Sequence, residues 1–215
     1  MIADRHALLW CGFVATALGL AYMAAGGAPV TYLVMNAAAF AIGVASVTIL
    51  CRLPLRVSAG TLCLGLAGLL LTSFLFGIGV EGATRWVRVG SLIVQPSLIL
   101  VPVLTIAFAR SREWAGAAGI ALAALVLALQ PDRAMSGALA AGLLALAVMR
   151  PDARTAAALA AALASFATAM LRPDHQGAMP FVDGILSTSF DVHWAAGVAV
   201  IAGSLILYAW RAPLL

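Results

Sequence analysis

The chain has 215 residues, of which 64% are hydrophobic and 9% are charged. Soluble domains carry ~25% charged residues, so this composition excludes an ordinary soluble protein. The net charge is +4, and all twelve basic residues are arginines scattered singly along the chain. Because nucleic-acid binding needs clustered positive charge, no nucleic-acid partner is expected.

Long apolar runs recur over the whole length and predict membrane spans. Backbone groups in lipid must pair within their own segment, so the spans are predicted to be helices. The fold class expected is an all-α polytopic membrane protein, with residues 1–215 forming a single integral membrane domain. Eight transmembrane helices are predicted, in chain order, at 7–25, 29–51, 57–78, 92–109, 113–130, 134–149, 155–171 and 192–210.

The arginines predict the orientation of these spans. With the N-terminus inside, eight arginines lie at cytoplasmic span ends and four lie outside, namely Arg85, Arg88, Arg133 and Arg172. This asymmetry follows the positive-inside rule and places both termini in the cytoplasm. Residues 79–91 and 172–191 are then outer loops.

The few acidic residues narrow the possible chemistry. None lies in the middle of a predicted span, which disfavours an ion-coupled transporter. No Walker-type loop, nucleophile elbow, His-Glu-x-x-His or Cys-x-x-Cys motif occurs, so nucleotide hydrolysis, serine hydrolysis and zinc proteolysis have no support. No cofactor and no metal are expected.

The stretch 77–97 holds the first candidate site. Arg85 and Arg88 stand three residues apart beside Trp86, between two apolar runs. Paired guanidinium groups at headgroup level can hold a phosphate or pyrophosphate bidentately. The alternative is that both arginines only extend to the interface or pair with Glu81.

Two Gln-Pro breaks form the second candidate, at Gln95-Pro96-Ser97 and at Gln130-Pro131-Asp132. Proline ends or kinks a helix and frees backbone carbonyls that neighbouring polar side chains can satisfy. In the structural interpretation, these residues cap the ends of helices. In the functional interpretation, they contact a substrate.

The third candidate is Asp183 in the outer loop 172–191. Its neighbours Phe181, Val182 and Ile185 are apolar, and a partly desolvated carboxylate is a candidate general base. The alternative is a solvated loop carboxylate. The nearby Asp174 and His175 match no metal-ligand spacing.

One set of motifs resembles a known family. Gly82-Ala83-x-Arg85-Trp86-Val87-x-Val89-Gly90 and Gln95-Pro96-Ser97 are similar to a loop of the SEDS family, the RodA- and FtsW-like proteins of cell-wall synthesis. Gln130-Pro131-Asp132 resembles a second family motif. Phe181-Val182-Asp183 with Asp191 eight residues after Asp183 is a weaker echo of a third.

The resemblance implies a multi-pass protein of the bacterial inner (cytoplasmic) membrane that acts in cell division or cell shape. It implies a polyprenyl-linked sugar as ligand, a transpeptidase-type membrane protein as partner, and Asp183 as the catalytic aspartate of a peptidoglycan glycosyltransferase. Substrate contacts are expected at Arg85, Trp86, Arg88, Gln95, Ser97, Gln130 and Asp132.

The chain departs from the family motif at two charged positions, where Leu98 and Val101 replace Glu and Lys. These replacements favour a non-catalytic subunit that binds a lipid-linked sugar or a partner protein at the outer leaflet. A minimal glycosyltransferase that uses Asp183 is the alternative, and a lipid flippase or transporter is a third interpretation.

Overall fold

The computed structural model describes residues 2–50, 57–80, 83–90, 92–172, 181 and 184–209. These residues are mainly helical. The elements are α1 (Ile2–Ala25), α2 (Val30–Leu50), α3 (Ala59–Phe76), β1 (Ile78–Val80), β2 (Ala83–Val89), β3 (Leu92–Val94), α4 (Ser97–Ser111), α5 (Trp114–Leu129), α6 (Arg133–Met149), α7 (Ala153–Leu171), α8 (Ile185–Val192) and α9 (Trp194–Ala209).

The helices correspond to the eight predicted spans, with α8 as a short addition before α9. Within the described residues, α3 and α7 are long and apolar enough to cross a membrane, judged by length and composition alone. The predicted helical architecture is therefore confirmed. The number of spans, the position of the termini and the single membrane domain stay predictions.

The segment between α3 and α4 differs from the prediction. A loop was expected over 79–91 and a helix from 92, but the chain forms an antiparallel sheet in the order β1-β2-β3. Val89 pairs with Leu92, and Gly90 has a φ of 63° directly after β2. Left-handed φ favours glycine, and β-branched residues favour strands. Gln95 precedes Pro96, which disfavours helix at Gln95, so α4 begins only at Ser97.

The chain divides into two compact units. One comprises Met1–Leu55 and Gly177–Leu215, and the other comprises Arg56–Gln176. In the first unit, α1 packs on α2 and α9, and α8 packs on α9. Tyr22, Met23 and Val200 are buried in its core.

The second unit contains α3 to α7 and the sheet, and its core is formed mainly by aliphatic side chains. Helices α3 and α5 pack closely against each other. A Cβ atom on Gly119 of α5 would lie 2.8 Å from the carbonyl carbon and 2.9 Å from the carbonyl oxygen of Cys63 in α3. Small residues allow such backbone contact between helices in lipid.

Helix α4 contains a proline, Pro102. Proline has no N–H group, so the carbonyl of Leu98 does not receive the usual helical hydrogen bond from position 102. Helix α4 packs against α3, α5 and α6 despite this interruption.

Arginines tie the helix ends together where α5 and α7 finish. Arg133 donates hydrogen bonds to the carbonyls of Ala169 at 3.3 Å and Arg172 at 2.6 Å, and Arg172 donates to the carbonyl of Leu129 at 3.2 Å. The last carbonyls of a helix have no partner within the helix. The two arginines therefore satisfy groups at the ends of both α5 and α7.

Asp152 organises the opposite end of this unit. Its carboxylate accepts a hydrogen bond from the backbone N–H of Thr155 at 2.7 Å and caps α7. Arg112 lies 3.1 Å from the same carboxylate and also donates to the carbonyl of Arg150 at 3.5 Å. The Thr155 backbone bond, with Arg112 as a weaker contributor, holds the pKa of Asp152 below its usual value.

The contact between α3 and α5 predicts the effect of Gly119→Ala. The added methyl group would overlap backbone atoms of Cys63, which no change of side-chain rotamer relieves. Overpacking of this kind costs about 1–3 kcal/mol. We expect a lower Tm for Gly119→Ala in detergent. Gly65→Ala is the matched control, because nothing lies within 4 Å of the added Cβ on this α3 residue. Equal Tm values for the two variants would contradict the contact.

The lowered pKa of Asp152 predicts acid sensitivity of the α7 cap. A group whose pKa is lower in the folded state stabilises the fold above its unfolded-state pKa, and this contribution is lost as the pH falls through the folded-state pKa. The Tm of the wild type should therefore exceed that of Asp152→Ala at neutral pH, and the difference should disappear well below about pH 4. A difference that does not change with pH would show that the carboxylate charge plays no part.

Candidate functional site

A buried carboxylate, Asp132, lies at the beginning of α6. Its Oδ1 accepts a hydrogen bond from the backbone N–H of Met135 at 3.2 Å, so that Asp132 is the N-cap of α6. The residue is 0% exposed. A buried charge is tolerated only when it is paired and hydrogen-bonded, and the further partners of Asp132 come from two other parts of the unit.

Two of these donors come from the segment where the sheet joins α4. Gln95 donates from Nε2 to Oδ2 of Asp132 at 2.7 Å, and Ser97 donates from Oγ to the same oxygen at 2.9 Å. Ser97 also accepts from Nε2 of Gln95 at 3.0 Å. The first residue of α4 and the N-cap of α6 thus face each other, and both helix dipoles favour negative charge here.

The third contribution comes from β2. Nη1 of Arg85 lies 3.9 Å from Oδ1 of Asp132, an ion-pair distance rather than a direct hydrogen bond. The guanidinium carbon of Arg85 also lies 4.7 Å from the ring centroid of Trp86, a cation–π arrangement. The Arg85 side chain is 16% exposed, against 1% for Asp132. Arg85 is therefore partly accessible, whereas its ion-pair partner is not.

Gln130 and Ser73 form a neighbouring polar pair that joins α5 to α3. Nε2 of Gln130 donates to Oγ of Ser73 at 3.2 Å, and that hydroxyl donates to the carbonyl of Leu70 at 2.6 Å. Gln130 is fully buried, and its Oε1 accepts no hydrogen bond from the described residues. The pair fixes the end of α5 against α3.

An apolar groove of about 410 Å³ lies between α3, the sheet and α4. Val87 lines it and stands two residues after Arg85 on β2, so both side chains leave the same face of the strand. The other lining residues are Leu69, Thr72, Ser73, Phe76, Val94, Pro96, Ile99 and Leu100. Phe76 and Ile99 are strongly exposed, so the groove opens at the surface of the unit.

The structure brings together four of the predicted site residues: Arg85, Gln95, Ser97 and Asp132. Trp86 lies beside Arg85. Arg88 leaves the opposite face of β2 and is exposed. Whether these residues contact a substrate stays a prediction.

Asp183, the predicted catalytic residue, lies outside the described residues, as do Asp174 and His175. Within the ranges that the structure describes, no three His, Cys, Asp or Glu side chains converge as a metal-ligand set.

Ser73 was not predicted as a site residue, although it links Gln130 to the groove wall. Its signal in the sequence is the polar pair Thr72-Ser73 near the end of the apolar run of α3. The groove could not be predicted from the sequence, because its lining residues are as apolar as the rest of the spans.

The fold and the site define a mainly helical protein in which a buried carboxylate pairs with an arginine beside an apolar groove. The family model of FtsW, RodA and SpoVE, described as cell cycle proteins, matches residues 5–179. The chain belongs to this family, the SEDS membrane proteins, because the match covers most of its 215 residues.

The resemblance drawn from the motifs at Arg85, Gln95 and Gln130 is thereby confirmed at the level of the family. No curated protein and no solved structure matches the chain. Membership supports a role in cell division or cell shape and a place in the membrane.

The hydrogen bonds of Asp132 predict its contribution to stability. Asp132→Ala removes the acceptor that Gln95 and Ser97 share and the ion-pair partner of Arg85, and breaking a buried charge pair costs about 3–5 kcal/mol. We expect a large fall in Tm in detergent. Asp152→Ala, which removes the N-cap of α7 at a partly exposed site, is the control and should lower the Tm less. A smaller effect at Asp132 than at Asp152 would contradict the cluster.

Proposed function

We propose that this SEDS protein is a non-catalytic binding subunit that recognises a lipid-linked sugar pyrophosphate at the outer leaflet of the inner membrane. The observation that carries the proposal is the placement of Arg85 and the apolar groove on one face of β2. A lipid-linked sugar is an amphiphile with a phosphate at the junction of its two parts. Arg85 suits the phosphate, and the groove suits the isoprenoid chain.

The surroundings of Arg85 suit anion binding. Asp132 and Trp86 restrict the guanidinium group before any ligand arrives, and a preorganised side chain loses less entropy on binding. The ion pair with Asp132 is long, at 3.9 Å, and a guanidinium group carries more N–H donors than one carboxylate can accept. Arginine binds phosphate through two parallel N–H bonds, which fixes the orientation of the headgroup.

The remaining predicted site residues take supporting roles in this proposal. Ser97, Gln130 and Asp132 are buried, and Gln95 is partly buried with its amide bonded to Asp132. They act as positioning residues that set the place of Arg85 and of the groove walls. By contrast, Arg88 is exposed on the opposite face of β2 and takes no part in the proposed headgroup contact.

The lack of charge in the first turns of α4 supports a non-catalytic role. Leu98 is 58% exposed, whereas Val101 is 2% exposed and belongs to the hydrophobic core. The family motif carries Glu and Lys at these positions, beside its active carboxylate. Because Val101 replaces the lysine of the family motif, the chain lacks the cation that would stabilise a departing pyrophosphate.

The subunit is proposed to act beside a catalytic or transpeptidase-type membrane partner. A protein that binds the lipid-linked sugar without converting it needs such a partner for the reaction. The minimal glycosyltransferase with Asp183 as base is the alternative that family membership keeps open. The two functions share the ligand and differ in whether glycan is formed.

Binding of a lipid-linked disaccharide to the purified protein tests the proposal. Arg85→Gln should weaken binding about tenfold or more, because a hydrogen bond between charged groups contributes ~1.5–3 kcal/mol. Ile99→Ser should weaken it about fivefold, because it removes apolar contact area from the groove. Microscale thermophoresis in a detergent free of anionic lipid measures both.

The matched controls are Arg110→Gln, which changes an exposed arginine in the last turn of α4, and Ile106→Ser. Ile106 is on α4 and is exposed to a similar extent as Ile99, but it does not line the groove. Equal losses from variants and controls would reject the binding site. No glycan should form from the lipid-linked disaccharide. Product that depends on Asp183, shown by its absence in Asp183→Asn but not in Asp191→Asn, would establish the glycosyltransferase instead.

A further inference from the structure

The second unit carries an arginine-rich patch at the end opposite the candidate site. We define the patch as Arg150, Arg154, Trp114 and Met149, where α6 ends and where α5 and α7 begin. The guanidinium carbon of Arg154 lies 5.9 Å from the ring centroid of Trp114. All four side chains are exposed. Arg112 connects the two loops through the carbonyl of Arg150.

The positive charge of this patch is not neutralised by the acids that lie near it. Asp152 is engaged by the α7 cap and by Arg112. Glu113 is directed over the first turn of α3, since its Oε2 would lie 2.6 Å from a Cβ on Gly60. No carboxylate in the described part of the chain forms an ion pair with Arg150 or Arg154.

We propose that the patch binds the headgroup of an anionic phospholipid. The two arginines supply donors for the phosphate, and Trp114 supplies an amphipathic ring of the kind that occupies the membrane interface. The protein belongs to a membrane family, so the end of a helical bundle at which four helix termini meet faces a layer of lipid headgroups. Arginine beside an anionic membrane surface gains about 1 kcal/mol per residue.

The apolar neighbours of the two arginines favour a lipid over an acidic protein segment. Val148 is 76% exposed and Met149 is 55% exposed, directly before Arg150 on α6. These exposed apolar side chains lie next to the positive patch. A phospholipid has the same arrangement, with acyl chains next to an anionic headgroup, and could contact both. An acidic peptide would leave these side chains uncovered.

The proposal is tested by native mass spectrometry of the full chain with phosphatidylglycerol and, separately, with phosphatidylcholine of the same acyl chains. The wild type should retain phosphatidylglycerol preferentially. The double variant Arg150→Gln/Arg154→Gln should lose about 25-fold in affinity for it, at about fivefold per arginine. Arg150→Lys/Arg154→Lys keeps the charge and should retain most of the binding.

Arg172→Gln is the control for net charge, because Arg172 lies at the candidate-site end of the same unit. Its affinity for phosphatidylglycerol should equal that of the wild type. The proposal is overturned by equal binding of the two lipids, by an equal loss in Arg172→Gln, or by unchanged binding in the double glutamine variant. The thermal unfolding of each variant in detergent verifies that a loss of lipid is not a loss of fold.

Discussion

The second unit is organised around one constraint, the burial of the Asp132 carboxylate. Removing an ionised carboxylate from water costs several kcal/mol, which only close donors can offset. The hydrogen-bond donors come from α6 itself and from the segment that leads into α4, and β2 adds the ion pair of Arg85. The Asp132 carboxylate therefore requires that the sheet, α4 and α6 meet at one point. The position of Arg85 beside the groove is a consequence of that meeting.

Much of this arrangement follows from the sequence. The Gln-Pro breaks at Gln95 and Gln130 indicate helix ends, and ends on the same side of a bundle bring their caps together. The hydrophobic runs likewise predicted the helices, with errors of a few residues at most boundaries. Polar residues in so apolar a chain are few, and most of them need each other as partners.

The sheet was beyond such reasoning. Its strands are three to seven residues long, too short to show an alternating pattern distinct from a loop rich in valine and glycine. The close contact of Gly119 with Cys63 was also unpredictable, because the sequence around a glycine among many alanines does not indicate which helix it packs against. The sheet forms one wall of the groove and α3 another.

The two helical walls of the groove differ in mechanical stiffness. Helix α3 approaches α5 so closely at Gly119 that an added Cβ would overlap backbone atoms of Cys63. Helix α4 lacks a rung of its hydrogen-bond ladder at Pro102, and prolines are the usual hinges of bent helices. We therefore expect any widening of the groove for a thicker ligand to come from bending of α4, while α3 keeps its position.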